Sequence, residues 1–426
     1  MTSTRRSFLR TTAAAATAAG LTNAVTAGRI QDGQGRGGDE LRIGLIGCGG
    51  RGSGAITQAL STKGPTRLVA ISDMFIDRLE GCLEALGENS AFKGRVDVPK
   101  DKRFVGADAF QGVMASNCDA VVIATPPHFR PSHFEAAVAA KKNIFFEKPV
   151  AVDGPGVRRV LAATEEARKL GLSVVSGLQR HHQYGYLEIM KQIHGGALGK
   201  LQFARCAWDM GGLWVAERQK QWSDMEWQIR NWLYFTWLSG DHITEQHVHN
   251  LDVINWAMQA HPTKARGMGG RQVRTEPKYG HIYDHHSVSY QYENGAWCFS
   301  ECRQIDGCLN DVSEHVYGTQ GEAHMDSGRW NIKGEHEWTY DGPKNDPYQT
   351  EHDDFFASIR NGKPLNEGRN VAESTLTAIM GRMATYSGKE ITWDQALNSE
   401  EKWGPDSYEF GPLPVDPVPM PGKKRG

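Results

Sequence analysis

The hexapeptide Gly47-Cys48-Gly49-Gly50-Arg51-Gly52 follows the apolar run Leu41 to Ile46 and opens a stretch of helical spacing. A glycine turn between a strand and a helix lets backbone N–H groups close on a pyrophosphate at the positive end of the helix. With 48 glycines in the chain the pattern alone means little, but its placement gives it weight. Asp73 stands 21 residues past Gly52, at the end of a second apolar run. A carboxylate there accepts hydrogen bonds from ribose hydroxyls and repels a 2′-phosphate. No arginine follows at Met74 or Phe75. Gly47, Gly49, Gly50, Arg51, Gly52 and Asp73 therefore form an expected dinucleotide site, for NAD rather than NADP.

Two further groups could act on a bound substrate. Glu147-Lys148-Pro149 ends a later apolar run, and Glu245, His249, Asp252 and Trp256 are spaced 4, 3 and 4 apart. If Glu245 to Met258 is one helix, those four share a face. A side chain that takes a proton from a bound substrate needs a pKa near the working pH. Histidine meets that condition unmodified.

These residues need elements to hold them. Short apolar runs at Leu41 to Ile46, Arg67 to Ser72, Ala120 to Ala124, Asn143 to Phe146 and Leu172 to Ser176 alternate with helical spacing, which predicts a parallel sheet covered on both faces. Between Leu201 and Lys333 strand patterns dominate, including a Glu293-Asn294-Gly295 turn. The expected fold is an α/β N-terminal Rossmann dinucleotide-binding domain plus an α+β C-terminal domain on a large, mainly antiparallel open sheet. The boundaries drawn are 39–150 for the first and 151–345 for the second. Helices within 346–403 should pack back on the first domain, and a proline-rich tail, 404–426, should be extended.

The chain resembles the Gfo/Idh/MocA oxidoreductases over nearly its whole length beyond the N-terminus. The likeness rests on the glycine turn, Ala124-Thr125-Pro126-Pro127-His128, Glu147-Lys148-Pro149, and Glu245-x-x-x-His249-x-x-Asp252. It implies that Lys148 approaches the nicotinamide ribose and the substrate hydroxyl, that His249 is the acid/base, and that Glu245 orients or partners them. It places Thr125, Pro126, His128, Glu147, Lys148 and Gln179 at the cofactor, and Arg180, His182 and Asp252 toward the substrate. The family usually has aspartate at Glu245 and glycine at His247. Glu245 and His249 could grip a metal, but such enzymes generally use none, and no metal is expected. Six of the twelve tryptophans fall between Trp208 and Trp237. Most should pack in the core or between subunits, with Trp232 beside Arg230 expected to line a sugar pocket.

Composition narrows the setting. A chain of 426 residues with 39% hydrophobic content suits two domains. Arg5-Arg6-Ser7-Phe8-Leu9 ahead of an alanine-rich run is a twin-arginine export pattern, with cleavage expected after Ala27 and a linker at 28–38. Losing Arg5, Arg6 and Arg10 takes the formal charge from −2 to −5, a poor match for nucleic acid. No later run is long and apolar enough to span a bilayer. Seven cysteines without a CxxC pair suggest neither a disulfide framework nor a zinc ribbon. The expectation is a periplasmic or otherwise exported homo-oligomer, assembled through its C-terminal sheet. It would oxidise a sugar or cyclitol with tightly held NAD; the alternative is a glycoside hydrolase that uses NAD transiently and regenerates it.

Overall fold

The computed structural model describes residues 40–423; the export pattern and linker lie outside them. Strands β1 (Leu41–Ile46), β2 (Thr66–Asp73), β3 (Arg103–Val105), β4 (Ala120–Ile123), β5 (Asn143–Phe146) and β6 (Val174–Ser176) form one parallel sheet in the order β3-β2-β1-β4-β5-β6. All four residues of β4, Ala-Val-Val-Ile, are buried. Val122 and Phe145 face a core shared with Ile56 and Leu79, whereas Val121, Ile123 and Ile144 face one shared with Phe134 and Val157. Both faces are covered, so both alternations are apolar. Because β6 pairs with β5, the boundary drawn at residue 150 cuts this sheet, and the first domain runs through Ser176. The short, half-exposed β3 carries too little apolar signal to be seen in the sequence.

The second sheet has nine strands. They are β7 (Leu201–Met210), β8 (Lys264–Gly270), β9 (His285–Gln291), β10 (Trp297–Gln304), β11 (Asp311–Gly318), β12 (Gly321–Asp326), β13 (Trp330–Gly334), β14 (Trp338–Thr339) and β15 (Ile391–Thr392). Their order is β14-β13-β12-β11-β7-β10-β9-β8-β15, antiparallel except where β10 meets β7. Burial alternates along β10: Cys298 and Ser300 are buried while Phe299 is exposed. One face therefore packs under the helices Val248–Met258 and Gly368–Ser387, and the other is open.

Helix Pro347–Arg360 packs on the first domain, where Phe355, Phe356 and Ile359 join the core that holds Ile56 and Phe145. Helix Gly368–Ser387 is buried along most of its circumference, lying between helix Gly154–Lys169 and strands β8 and β9. A helix buried all round needs cover on both sides, so it bridges the two domains rather than resting on the first. The tail has no regular structure but is docked: Met225 donates to the Gly411 carbonyl, Gln228 to Leu413, and Tyr283 to Pro419. Among the described residues no helix is long and apolar enough to cross a membrane.

Candidate active site

Gly47 has φ of 94°, and a Cβ there would come within 2.8 Å of the Ala124 and Thr125 backbone. A Cβ on Gly52 would lie 1.8 Å from the Gly47 carbonyl oxygen. These two glycines let the turn close against β4. Gly49 and Gly50 differ, since nothing lies within 4 Å of a Cβ added to either. Gly49 caps helix Gly50–Leu60 without a side-chain bond, so the first N–H groups face open space. The Cys48 N–H donates to Asp73 Oδ2 at 2.6 Å and the Phe75 N–H to Oδ1 at 2.9 Å, fixing the carboxylate beside the turn. Burial raises the Asp73 pKa, against the pull of those two N–H groups.

A cleft of about 580 Å³ runs along this edge, lined by Gly49, Gly50, Asp73, Thr125 and Pro126 as the sequence predicts. The fit to a dinucleotide is good: a bare helix N-terminus under clear space, a fixed carboxylate at the ribose position, and an elongated cleft between them. Its outer wall comes from the second domain, through Trp214, Val215, Ala216, Ile229, Arg230 and Trp232. Arg230 pairs with Asp77 through two 2.9 Å bonds and with Glu226 at 3.0 Å, and its guanidinium lies 3.8 Å above the Phe75 ring. Phe410 of the tail stacks on that same ring at 5.8 Å. Arg230 and Trp232, expected at a sugar, line the same cleft as the glycine turn.

The catalytic candidates meet where β5 ends. Lys148 Nζ donates to Glu245 Oε1 at 2.9 Å and to the Glu245 backbone carbonyl at 2.7 Å, with both side chains largely buried. His249 is buried with Nδ1 unpartnered, its ring stacked at 5.7 Å on Trp208. Burial, together with the charges of Lys148 and Arg180, holds its pKa well below the ordinary histidine value. These effects favour the neutral imidazole, whose Nδ1 has no hydrogen-bond partner. Next to Lys148, the carboxylate of Glu147 is buried and paired with Arg51 at 2.9 Å. That bond ties the catalytic strand end to the helix at the glycine turn.

The single helix predicted from Glu245 to Met258 is two. His242–Glu245 forms one turn and Val248–Met258 a second helix, with a break at Gln246 and His247. The His247 N–H reaches back five residues to His242 O, and its ring turns inward to Ser300 Oγ at 2.7 Å. A glycine could not make that inward bond. Asp252, expected near substrate, is saturated by His181 Nε2 at 2.8 Å, Ser374 Oγ at 2.8 Å and Asn370 Nδ2 at 3.0 Å. His182 is likewise occupied, between Asp354 Oδ2 at 2.7 Å and Glu367 Oε1 at 3.0 Å.

Arg180 is buried against Glu314, its guanidinium over the Tyr186 and Trp208 rings. It backs the tryptophan that stacks on His249. His128 faces the tail, bonded to Tyr408 Oη at 2.7 Å and packed against Trp237, rather than the cofactor. Gln179 donates to Tyr348 Oη at 3.2 Å and leaves its buried Oε1 free as an acceptor. Sequence reasoning missed the Trp214–Ala216 wall, Phe410, and His133, which bonds Thr125 Oγ1 at 3.1 Å and lines the cleft. None has a motif; only the tryptophan cluster hinted at the first.

Comparison with known proteins agrees with this geometry. Residues 41–176 match the oxidoreductase family with an NAD-binding Rossmann fold, and residues 186–324 match the GFO/IDH/MocA C-terminal domain. An inositol 2-dehydrogenase of Klebsiella pneumoniae (strain 342) is 27% identical over 289 residues, 67% of this chain and 74% of that protein. The fold is similar to that of the aldose-aldose oxidoreductase from Caulobacter crescentus complexed with glycerol, with a TM-score of 0.65 at 16% identity, covering 83% of this chain and 100% of that one. A levoglucosan dehydrogenase in complex with NADH and levoglucosan is similar at the same TM-score of 0.65 and 16% identity, covering 84% and 100%. With both of its domains matched, the chain belongs to the Gfo/Idh/MocA family of NAD-binding oxidoreductases, which act on CH–OH groups.

Proposed function

We propose that this protein oxidises a secondary alcohol of a sugar or cyclitol, using NAD that it holds through many turnovers. The observation that carries the reading is the Lys148–Glu245 pair at the end of β5, beside a neutral, buried His249. Bound NAD supplies the hydride acceptor. His249 takes the hydroxyl proton as the C–H bond breaks, and its neutrality means that no prior deprotonation is needed. Lys148 donates a hydrogen bond to the oxygen on which negative charge develops, while Glu245 holds its ammonium in place. Trp208 supports the imidazole and, with the buried Arg180–Glu314 pair beneath it, keeps the ring from rotating away.

Retention of the cofactor is supported by the second domain's wall over the cleft and by Arg230, which bridges the domains at its ribose end. Export by the twin-arginine route is part of the same reading, since an exported enzyme has no free NAD pool to draw on. The sugar or cyclitol substrate is proposed from the inositol 2-dehydrogenase relatives. Pairing of two copies through the open sheet face is proposed from its aromatic stripe, where Phe203 stacks on Tyr317 at 4.2 Å and Phe299 lies 51% exposed.

The test is to purify the protein without added cofactor, measure NAD(H) per chain, and add cyclitols, aldoses and aryl glycosides. Reduction of bound NAD by a cyclitol or aldose is the expected result. Release of an aglycone with no net change in NADH would instead assign the redox-assisted hydrolase, and absence of bound or bindable NAD would overturn the proposal.

A further inference from the structure

Behind the turn that carries Glu245 lies a closed polar cluster that the reaction does not use. Asp241 and His242 open the turn His242–Glu245, and His286 comes from β9; all three are fully buried. One donor atom from each lies within 4.8 Å of the others. These are not the Glu245 and His249 that the spacing suggested as a metal pair.

The Asp241 backbone has φ of 71°, a strained value for a non-glycine residue, so its carboxylate is held against a local cost. Oδ2 accepts from the Tyr283 N–H at 2.9 Å and Tyr386 Oη at 2.5 Å; Oδ1 accepts from the His242 N–H at 2.5 Å and lies 2.9 Å from His242 Nδ1, so Nε2 is the His242 nitrogen left without a bond. The protons on His286 are what make the cluster unusual. Its Nδ1 is 2.9 Å from Thr385 Oγ1, and that hydroxyl donates its one hydrogen to the Arg382 carbonyl at 3.0 Å. In the tautomer with the proton on Nδ1, that nitrogen donates to the hydroxyl and Nε2 carries a lone pair. Nε2 lies 3.4 Å from Asp241 Oδ1 in a buried site and has no hydrogen-bond partner. His242 Nε2 is buried there without a partner as well.

A cation resolves this arrangement. In a tetrahedral zinc site with bonds of about 2.0–2.2 Å, neighbouring ligand atoms stand roughly 3.3–3.5 Å apart. The 3.4 Å between His286 Nε2 and Asp241 Oδ1 has that length. His242 brings a second imidazole, its ring 4.9 Å from that of His286. We propose that Asp241, His242 and His286 bind a divalent transition-metal ion, with zinc favoured by the two-nitrogen, one-carboxylate ligand set. The ion would be structural. The Asp241 carbonyl accepts from the Glu245 N–H at 2.9 Å, so a metal at the head of the turn fixes the backbone of the residue that holds Lys148.

The test uses the untagged full chain from zinc-supplemented cells, with metals measured by inductively coupled plasma mass spectrometry. About one zinc per chain is expected, falling below about a tenth in His286→Gln and His242→Gln. Refolding the wild type with cobalt in place of zinc should give the visible absorption of a four-coordinate nitrogen and oxygen site, which keeps the test decisive if the variants do not fold. The proposal is overturned if wild-type protein binds less than about a tenth of an equivalent of any transition metal, both as isolated and after refolding with zinc or cobalt. It is also overturned if folded His286→Gln keeps its full metal content.

Discussion

Glu245 grips Lys148 twice, through its backbone carbonyl at 2.7 Å and its side-chain Oε1 at 2.9 Å. Aspartate in its place would be a methylene shorter and could keep the carbonyl bond while losing the carboxylate contact. Lys148→Ala is expected to lower kcat by about 10²–10⁴-fold, because the developing negative charge on the substrate oxygen loses its donor. Glu245→Gln keeps the acceptor geometry and removes the charge, so a smaller loss of roughly 10-fold is expected, with KM little changed. Steady-state kinetics on the substrate found in the cofactor-reduction test checks both. Equal losses in the two variants would mean that Glu245 does more than position the lysine.

His249 is held neutral by burial and by the nearby positive charges of Lys148 and Arg180. A base whose pKa is depressed in the folded enzyme remains deprotonated well below the ordinary histidine value of about 6.5. The acidic limb of kcat/KM for the wild type should therefore lie below that value. The same shift means that the folded state binds fewer protons than the unfolded chain, so this residue lowers stability as the pH falls below about 6.5. His249→Gln should abolish turnover and at the same time soften the acid sensitivity of the fold. Full activity in that variant would remove His249 from the mechanism.

Arg230 and Asp77 connect the second domain to the helix that follows Asp73. Asp77 is half exposed, so the ion pair itself contributes little to overall stability. Its effect should appear in cofactor retention, because the same guanidinium covers Phe75 and lines the cleft. Arg230→Ala is expected to speed NAD release by about 10-fold or more, at a cost of no more than about 1–2 kcal/mol in folding. Exchange of labelled NAD, followed by rapid gel filtration, measures it. Removing residues 404–426 should act in the same direction, since Phe410 stacks on Phe75.

Both sheets were legible in the sequence. Ala120 to Ile123 is apolar at every position, as a sheet covered on two faces requires, whereas Trp297 to Gln304 was read from the Glu293-Asn294-Gly295 turn before it, since it alternates in burial but not in polarity. The glycine turn and Asp73 were also legible, since each lies at the end of an apolar run, whereas Lys148 and Glu245 came from the family resemblance and Glu245 ends a four-residue turn rather than heading a long helix. What was not legible depended on partners distant in sequence. Asp252 is occupied by His181, Ser374 and Asn370, and Arg180 by Glu314, and no local pattern announces such bonds. Arg230 was placed at a sugar because tryptophans surround it, whereas its position is set by Asp77, 153 residues earlier. The break before His249 arises where His247 turns its ring to Ser300, a contact invisible to helical periodicity.

The open sheet face gives a prediction of assembly. Phe203, Phe299 and Tyr317 form an aromatic stripe on three neighbouring strands, β7, β10 and β11. A charge placed in its centre opposes burial against a second copy while leaving the helix-covered face alone. Phe299→Glu is therefore expected to shift the oligomer toward monomer in sedimentation velocity, with the circular dichroism spectrum unchanged. A wild type that sediments as a monomer at all concentrations would rule out this interface.

His182 supplies the clearest pH dependence of the fold. Burial opposes its charging, but the bonds to Asp354 and Glu367 outweigh that effect and raise its pKa to about 10. The folded state thus binds a proton that the unfolded chain releases near pH 6.5. Its stabilising contribution is complete below that pH and is lost progressively as the pH rises toward about 10. Between pH 6.5 and 9 the loss should be on the order of 2–3 kcal/mol, reduced from the full shift because Asp354 is half exposed to solvent. Urea unfolding at pH 6.5 and 9.0 should show a higher midpoint at the lower pH for the wild type. In His182→Gln the difference should shrink by most of that amount, because glutamine can hydrogen-bond both carboxylates but carries no proton to lose. An unchanged difference would mean that His182 is not charged in the folded protein and gives its single N–H to only one of the two carboxylates.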